Sequence, residues 1–206
     1  MMPTLHLSPK NTDRLIEQAV SSLFHGGIIA YPTETLYGLG ARYDNEQALM
    51  RLYELKRRPH EKTIPIIIGS VEHLSLLVNS VSETAADLIR KFWPGPLTLV
   101  FDARSGLSSY ITCTDKIAVR IPGESFALDL VRAAGFPITA TSANISGLPA
   151  ARDVSMISEY FYDRLDLIID GGTSRNTQPS TIVDVTRQTA VVLREGAISA
   201  SSIVTR

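Results

Sequence analysis

An α/β fold is predicted for this chain, a single domain with a mixed sheet and flanking helices. Three observations carry the prediction. Short apolar, β-branched runs alternate with helical periods through most of the sequence, the pattern of strand–helix units. Two late strand-type runs, Thr181 to Val185 and Ala190 to Arg194, flank a turn at Thr186-Arg187-Gln188 and read as a hairpin, which adds an antiparallel pair. No Gly/Ser-rich linker or internal repeat divides the 206 residues, so one domain over residues 1–206 is expected.

The elements follow in order. Residues 11–26 read as a helix, capped by Asn11 or Thr12, with Leu15, Ile16, Ala19, Val20, Leu23 and Phe24 at helical spacing and Gly26-Gly27 as the stop. A strand over 28–31 leads into a polar loop. A second helix covers about 45–55 and ends in Lys56-Arg57-Arg58-Pro59, where proline cannot continue it. Ile64 to Ile68 reads as a strand, Val71 to Val78 and Glu83 to Phe92 as helices, and Trp93-Pro94-Gly95-Pro96 as a rigid turn. Strands are expected over 97–101, 117–121, 137–141 and 167–170, with a short one around Tyr110-Ile111. Helices are expected over 125–134 and 153–162, a polar loop over 174–180, and a small, polar tail after Glu195.

Composition narrows the function. At 44% hydrophobic and 20% charged residues the chain has globular composition. A formal net charge of −1 excludes a global basic field, so any anion site comes from local clustering. Cys113 is the sole cysteine, which excludes a disulfide framework and points to a reducing compartment. No apolar run approaches the roughly 20 residues that span a bilayer, and the N-terminus has no signal-peptide core. A cytoplasmic protein without membrane association is expected. There is no phosphate-loop motif, dinucleotide fingerprint or G-x-S-x-G turn, and His60-Glu61 is followed by Ile64 where a zinc protease needs His.

What remains is a set of polar groups near strand ends. Tyr31-Pro32-Thr33-Glu34-Thr35-Leu36-Tyr37-Gly38-Leu39-Gly40 follows a buried strand and reads either as the floor of a small-molecule site or as a strand-to-helix loop whose Thr residues cap backbone groups. Lys56 and Arg58 flank a helix end; they pair on one anion, or they are a solvated run favoured by the helix dipole. Arg120 sits inside an apolar strand, where an unpaired guanidinium is costly. It faces an exposed sheet surface or meets a carboxylate, from substrate or chain. Arg194 poses the same question. Ser142 and Asn144 flank Ala143 just past a strand and present groups to phosphate or ribose, or form an Asx or Ser turn.

Taken in order, the motifs Y-P-T-E-T-x-Y-G-L-G, K-x-R-P, A-V-R-I-P, S-A-N-x-S-G, P-S-T-I-V-D and L-R-E-G-A-I resemble the YrdC/YciO family, specifically its single-domain threonylcarbamoyl-AMP synthases. The similarity runs from about Gly26 to Ile198, within a motif-bearing core of about 11–198. The resemblance implies a YrdC-like fold: a twisted, open mixed α/β sheet with flanking helices and a concave basic face. It implies a nucleotidyltransferase that makes threonylcarbamoyl-adenylate and pyrophosphate from L-threonine, bicarbonate and ATP, for modification of adenosine in tRNA. It places Thr35 and Arg120 on threonine, and Lys56, Arg58, Ser142, Asn144, Ser180 and Arg194 on the nucleotide and its phosphates; Lys62, a further cation of the same polar set, is expected on the phosphate side with them. Mg²⁺ would accompany ATP, with few ligands from the protein and no covalent nucleophile. Partners would be tRNA or double-stranded RNA and downstream tRNA-modification proteins. Lys62 stands where many relatives have Asn, and Ile67 where some have His. The C-terminal domain of longer relatives is not expected here. An alternative from the same resemblance is a YciO-like RNA- or nucleotide-binding protein that makes no adenylate; a third is carbamoyl transfer to another acceptor.

Overall fold

The computed structural model describes residues 3–59, 62–174 and 178–203. His60-Glu61 and positions 175–177 of the expected polar loop lie outside the described residues. In chain order the elements are β1 (Thr4–His6), α1 (Thr12–Phe24), β2 (Ile29–Pro32), β3 (Tyr37–Gly40), α2 (Glu46–Lys56), β4 (Ile66–Ile67), a 3-10 helix (Val71–Leu76), α3 (Glu83–Phe92), β5 (Leu97–Asp102) and β6 (Lys116–Arg120). Then come α4 (Phe126–Ala134), β7 (Ile138–Thr139), β8 (Thr141–Ser142), α5 (Val154–Phe161), β9 (Leu167–Asp170), β10 (Thr181–Asp184), β11 (Val191–Arg194) and α6 (Ala200–Ile203).

Local chemistry sets the boundaries. Asn45, Ser82 and Asp153 each accept a bond from the third backbone N–H beyond them and so cap α2, α3 and α5. Asn11 instead ties the preceding turn, accepting from the Ser8 amide and donating to the His6 carbonyl. α2 stops because Arg57 turns left-handed (φ 48°, ψ 45°) and the Arg58 amide folds back onto the Tyr53 carbonyl. This happens two residues before the proline that the sequence suggested as the stop.

The α/β class and mixed pairing hold, but the described strands form two sheets. One has the order β1-β9-β2-β3-β8 and the other β11-β10-β5-β6-β4-β7; each mixes parallel and antiparallel pairs. The expected strand over 137–141 is the seam between them. It splits at Ala140: Thr139 pairs with β4 of one sheet and Thr141 with β3 of the other. The Thr139 amide bonds the Ala41 carbonyl and the Ala140 amide bonds the Pro65 carbonyl. Two cores result. α1 and α4 pack over Ile29, Tyr31, Ile138 and Ile169, whereas α2, α3 and α5 pack over Ala30, Leu39, Leu97, Leu99, Val119 and Ile168. Period-two alternation sends neighbours in β2 and β9 to opposite cores.

Several expectations are corrected. Tyr37–Gly40 is a strand, not part of a loop. Its glycines look like breakers, yet a Cβ at Gly40 would lie 2.7 Å from the Tyr31 ring, so they make room for an aromatic on the partner strand. Val71 to Val78 contains the 3-10 helix in place of an α-helix, and Tyr110-Ile111 is a turn. Only Ile66–Ile67 of the 64–68 run pairs as a strand. β1 and α6 lie in segments that carry no periodic apolar pattern.

Candidate functional site

The alternation that fills the second core also builds a cavity. In β5 and β6, Leu97, Leu99, Ile117 and Val119 enter the core, while Thr98, Val100, Ala118 and Arg120 line a cavity of about 490 Å³ on the opposite face. Ile182 of β10, Arg194 of β11 and Ile67 of β4 continue this floor, and Tyr37, Gly38, Thr141 and Ser142 of the other sheet form a wall. Thr33 and Thr35 close it from the β2–β3 turn, and Arg58 and Thr63 from the segment after α2. Of the nine residues singled out from the sequence, Thr35, Arg58, Arg120, Ser142, Ser180 and Arg194 meet around this one space.

Each is held by a specific contact. Thr33 is the turn former: its hydroxyl oxygen accepts from the Thr35 and Leu36 amides at 3.1 and 3.2 Å. The adjacent Thr35, whose carbonyl accepts from Ser174 Oγ at 2.5 Å, lines the cavity. Arg120 is buried and meets a carboxylate from the chain, with Nη1 donating to Glu34 Oε1 at 2.7 Å. Arg58 donates from Nε to the Lys62 carbonyl and from Nη2 to the Thr63 carbonyl, both at 2.7 Å. Burial lowers its pKa, which neighbouring Tyr53 opposes. Arg194 donates from Nη2 to the Ser180 carbonyl at 2.7 Å, and Ser180 Oγ lies 2.9 Å from Thr98 Oγ1. Desolvation and then the charge of Arg120 lower the Arg194 pKa. Like charges this close raise the local potential and favour an anion between them.

Three of the sequence-selected residues stand elsewhere. The Lys62 side chain is exposed and only its carbonyl serves the site, accepting from Arg58 and Tyr53. Lys56 is 1% exposed and behind the wall. Its Nζ donates to the Ser142 carbonyl at 2.5 Å, the Asn144 carbonyl at 2.8 Å and Asn144 Oδ1 at 3.1 Å. Burial, then the Arg58 charge, pulls its pKa down to about 7. Asn144 is committed as well: Oδ1 also accepts from Ser142 Oγ, and Nδ2 donates to the Leu148 carbonyl. The expected direct contact of Lys56, Lys62 and Asn144 with phosphate is therefore not supported by the geometry. Sequence reasoning also passed over Thr63, Thr98 and Thr141. Thr98 carried a signal, a lone hydroxyl at a cavity-facing register between Leu97 and Leu99.

A family model described as Telomere recombination, for Sua5, YciO and YrdC proteins, matches residues 21–196. The chain belongs to the Sua5/YciO/YrdC family. Among curated relatives of this family member, the threonylcarbamoyl-AMP synthase of Pyrococcus abyssi is 40% identical over 189 residues, 91% of this chain and 56% of that protein. The chain thus spans about half the length of that relative. The threonylcarbamoyl-AMP synthase of Aliivibrio fischeri is 36% identical over 184 residues, 88% of this chain and 98% of that one. The structure of P. abyssi Sua5 complexed with L-threonine superposes with a TM-score of 0.90 at 36% identity, covering 98% of this chain and 59% of that chain. Among the described residues of this Sua5/YciO/YrdC chain, no helix is long and apolar enough to cross a membrane.

Proposed function

We propose that this chain is a threonylcarbamoyl-AMP synthase acting on L-threonine, bicarbonate and ATP. The single observation that carries the reading is convergence. Three guanidiniums and seven Thr or Ser residues from segments spanning positions 33 to 194 line one cavity of about 490 Å³. The names of the curated relatives and the L-threonine complex of P. abyssi Sua5 support the same chemistry.

In this reading the amine of threonine condenses with bicarbonate, water leaves, and a carbamate forms. A carbamate oxygen then attacks the α-phosphorus of ATP and pyrophosphate departs. Such displacement needs positioning and charge neutralisation more than a covalent nucleophile. Arg120 and Thr35 hold the amino acid, Arg120 through its carboxylate. Arg58, Arg194, Ser142 and Ser180 hold the nucleotide and its phosphates; a forked guanidinium suits phosphate oxygens. Mg²⁺ enters with the nucleotide: the wall offers guanidiniums and hydroxyls, and the described residues contain no group of three or more His, Cys, Asp or Glu placed to share an ion. The adenylate would supply tRNA modification through downstream proteins.

Purified protein with ATP, L-threonine and bicarbonate should release pyrophosphate and adenylate in equal amounts, and omission of threonine should stop both. Arg58→Ala should raise the Kd for ATP about tenfold, the loss of one charged hydrogen bond, with the fold intact. Folded protein that forms no adenylate overturns the reading. Salt-sensitive binding of double-stranded RNA alongside that failure would favour the non-synthase alternative.

A further inference from the structure

Among the described residues, the Lys56 side chain is the one buried cation that the proposed chemistry leaves without a task. A protonated lysine has three N–H donors and no acceptor. Here all three reach oxygen, on Ser142 and twice on Asn144. None remains for a phosphate, and at 1% exposure the head has no path to the cavity that does not strand three acceptors. The same residue holds the loop a second way: its carbonyl accepts from the Ser146 amide at 2.8 Å. Main chain and side chain of one residue therefore grip the two ends of the segment 142–146. Inside that grip Ser142 Oγ donates to Asn144 Oδ1 at 2.6 Å, which fixes the hydroxyl on the cavity wall. Arg57 makes the grip possible. Its left-handed turn ends α2 at once, so Lys56 stays helical and buried while Arg58, two residues on, reaches the cavity.

We infer that Lys56 is a positioning residue: it staples the Ser142–Ser146 loop to the end of α2, sets the nucleotide-side wall before any ligand arrives, and touches no substrate. The inference rests on the synthase reading only for what the wall receives; the staple itself is a property of the unliganded chain.

The test therefore begins without substrate. Hydrogen exchange is measured on the free protein, wild type and Lys56→Met, which keeps length and loses the donors. The amides of Ala143, Asn144, Ser146 and Ala151 should exchange about tenfold faster in the variant, one charged hydrogen bond's worth of local opening, while those of β2 keep their rate. The Kd for a non-hydrolysable ATP analogue should rise by a similar factor. Lys56→Arg separates the alternatives. A point charge for phosphate is restored by arginine, whereas a staple is not, because the larger planar fork cannot reproduce a three-way grip in a filled pocket. Asn144→Ala, which removes one acceptor and the Leu148 anchor, carries the same exchange test if Lys56→Met does not fold. Unchanged exchange over 143–151, or recovery of analogue affinity in Lys56→Arg, overturns the inference. Loosened exchange in a chain that makes no adenylate leaves the staple standing and removes only the synthase reading.

Discussion

Replacing Glu34 by Gln isolates one charge, the partner of the cavity-lining Arg120. Arg120 emerges from a strand whose neighbours Val119 and Ile121 are buried, and is itself 8% exposed. Its Nη1 meets Glu34 Oε1 at 2.7 Å, with the Glu34 side chain 16% exposed. Removing one partner of a fully buried pair costs about 3–5 kcal/mol. That is an upper bound here, because a Gln carbonyl still accepts one hydrogen bond and Glu34 keeps some solvent. A charged hydrogen bond is worth about 1.5–3 kcal/mol, and about 2 kcal/mol is the expected loss. For a chain of this size each kcal/mol moves Tm by about 2–4 °C, so Glu34→Gln should melt about 4–8 °C below wild type by circular dichroism. L-threonine should recover part of the loss, since its carboxylate would supply Arg120 with the anion that Gln lacks. A Tm within a degree of wild type would show that Arg120 does not depend on Glu34, and the placement of the amino-acid carboxylate would fall with it.

Arg42 lies between the rings of Phe24 and Phe136, at 5.3 and 4.7 Å, and pairs with Asp44 through Nε at 2.6 Å. Arg42→Ala should cost about 1–2 kcal/mol in urea unfolding without changing adenylate formation. Gly40→Ala should destabilise by about 1–3 kcal/mol, because the new methyl would lie 2.7 Å from Tyr31 Cε1 and 3.0 Å from Ile138 Cγ2; an unchanged urea midpoint would refute the close fit. The Lys56 pKa is lowered to about 7 in the folded chain, against about 10.4 for an unfolded lysine. Between these values the unfolded chain binds the extra proton, so stability rises with pH. Wild type should thus gain on Lys56→Met from about pH 7 to pH 10, and a flat difference would contradict the shift.

The helices were legible wherever a full apolar stripe met a capping residue, as in α2 and α3. Strands buried on both sides, such as β9, were legible as short apolar runs. Arg120 was recognised as needing a carboxylate, but its partner lies 86 residues away and nothing local points to Glu34. Lys56 shows the opposite failure. A lysine at a helix end beside two arginines reads as solvated or anion-binding, and only the distant Ser142–Asn144 loop makes it an internal tether. The convergence of site residues came from the order of motifs along the chain, since each polar group alone admitted a turn or a cap. The split of the sheet into two was hidden because Ile138 to Ser142 is one extended run whose halves find different neighbours.

That run has a bearing on how the pocket chooses its contents. With the Thr139 and Ala140 amides fastened to opposite sides, the two β-layers cannot spread apart without tearing main-chain bonds, at about 1–3 kcal/mol for a buried group left bare, as at Thr139. The gap between them is a fixed gauge. Any adjustment of that width would have to come from the side chains that line it.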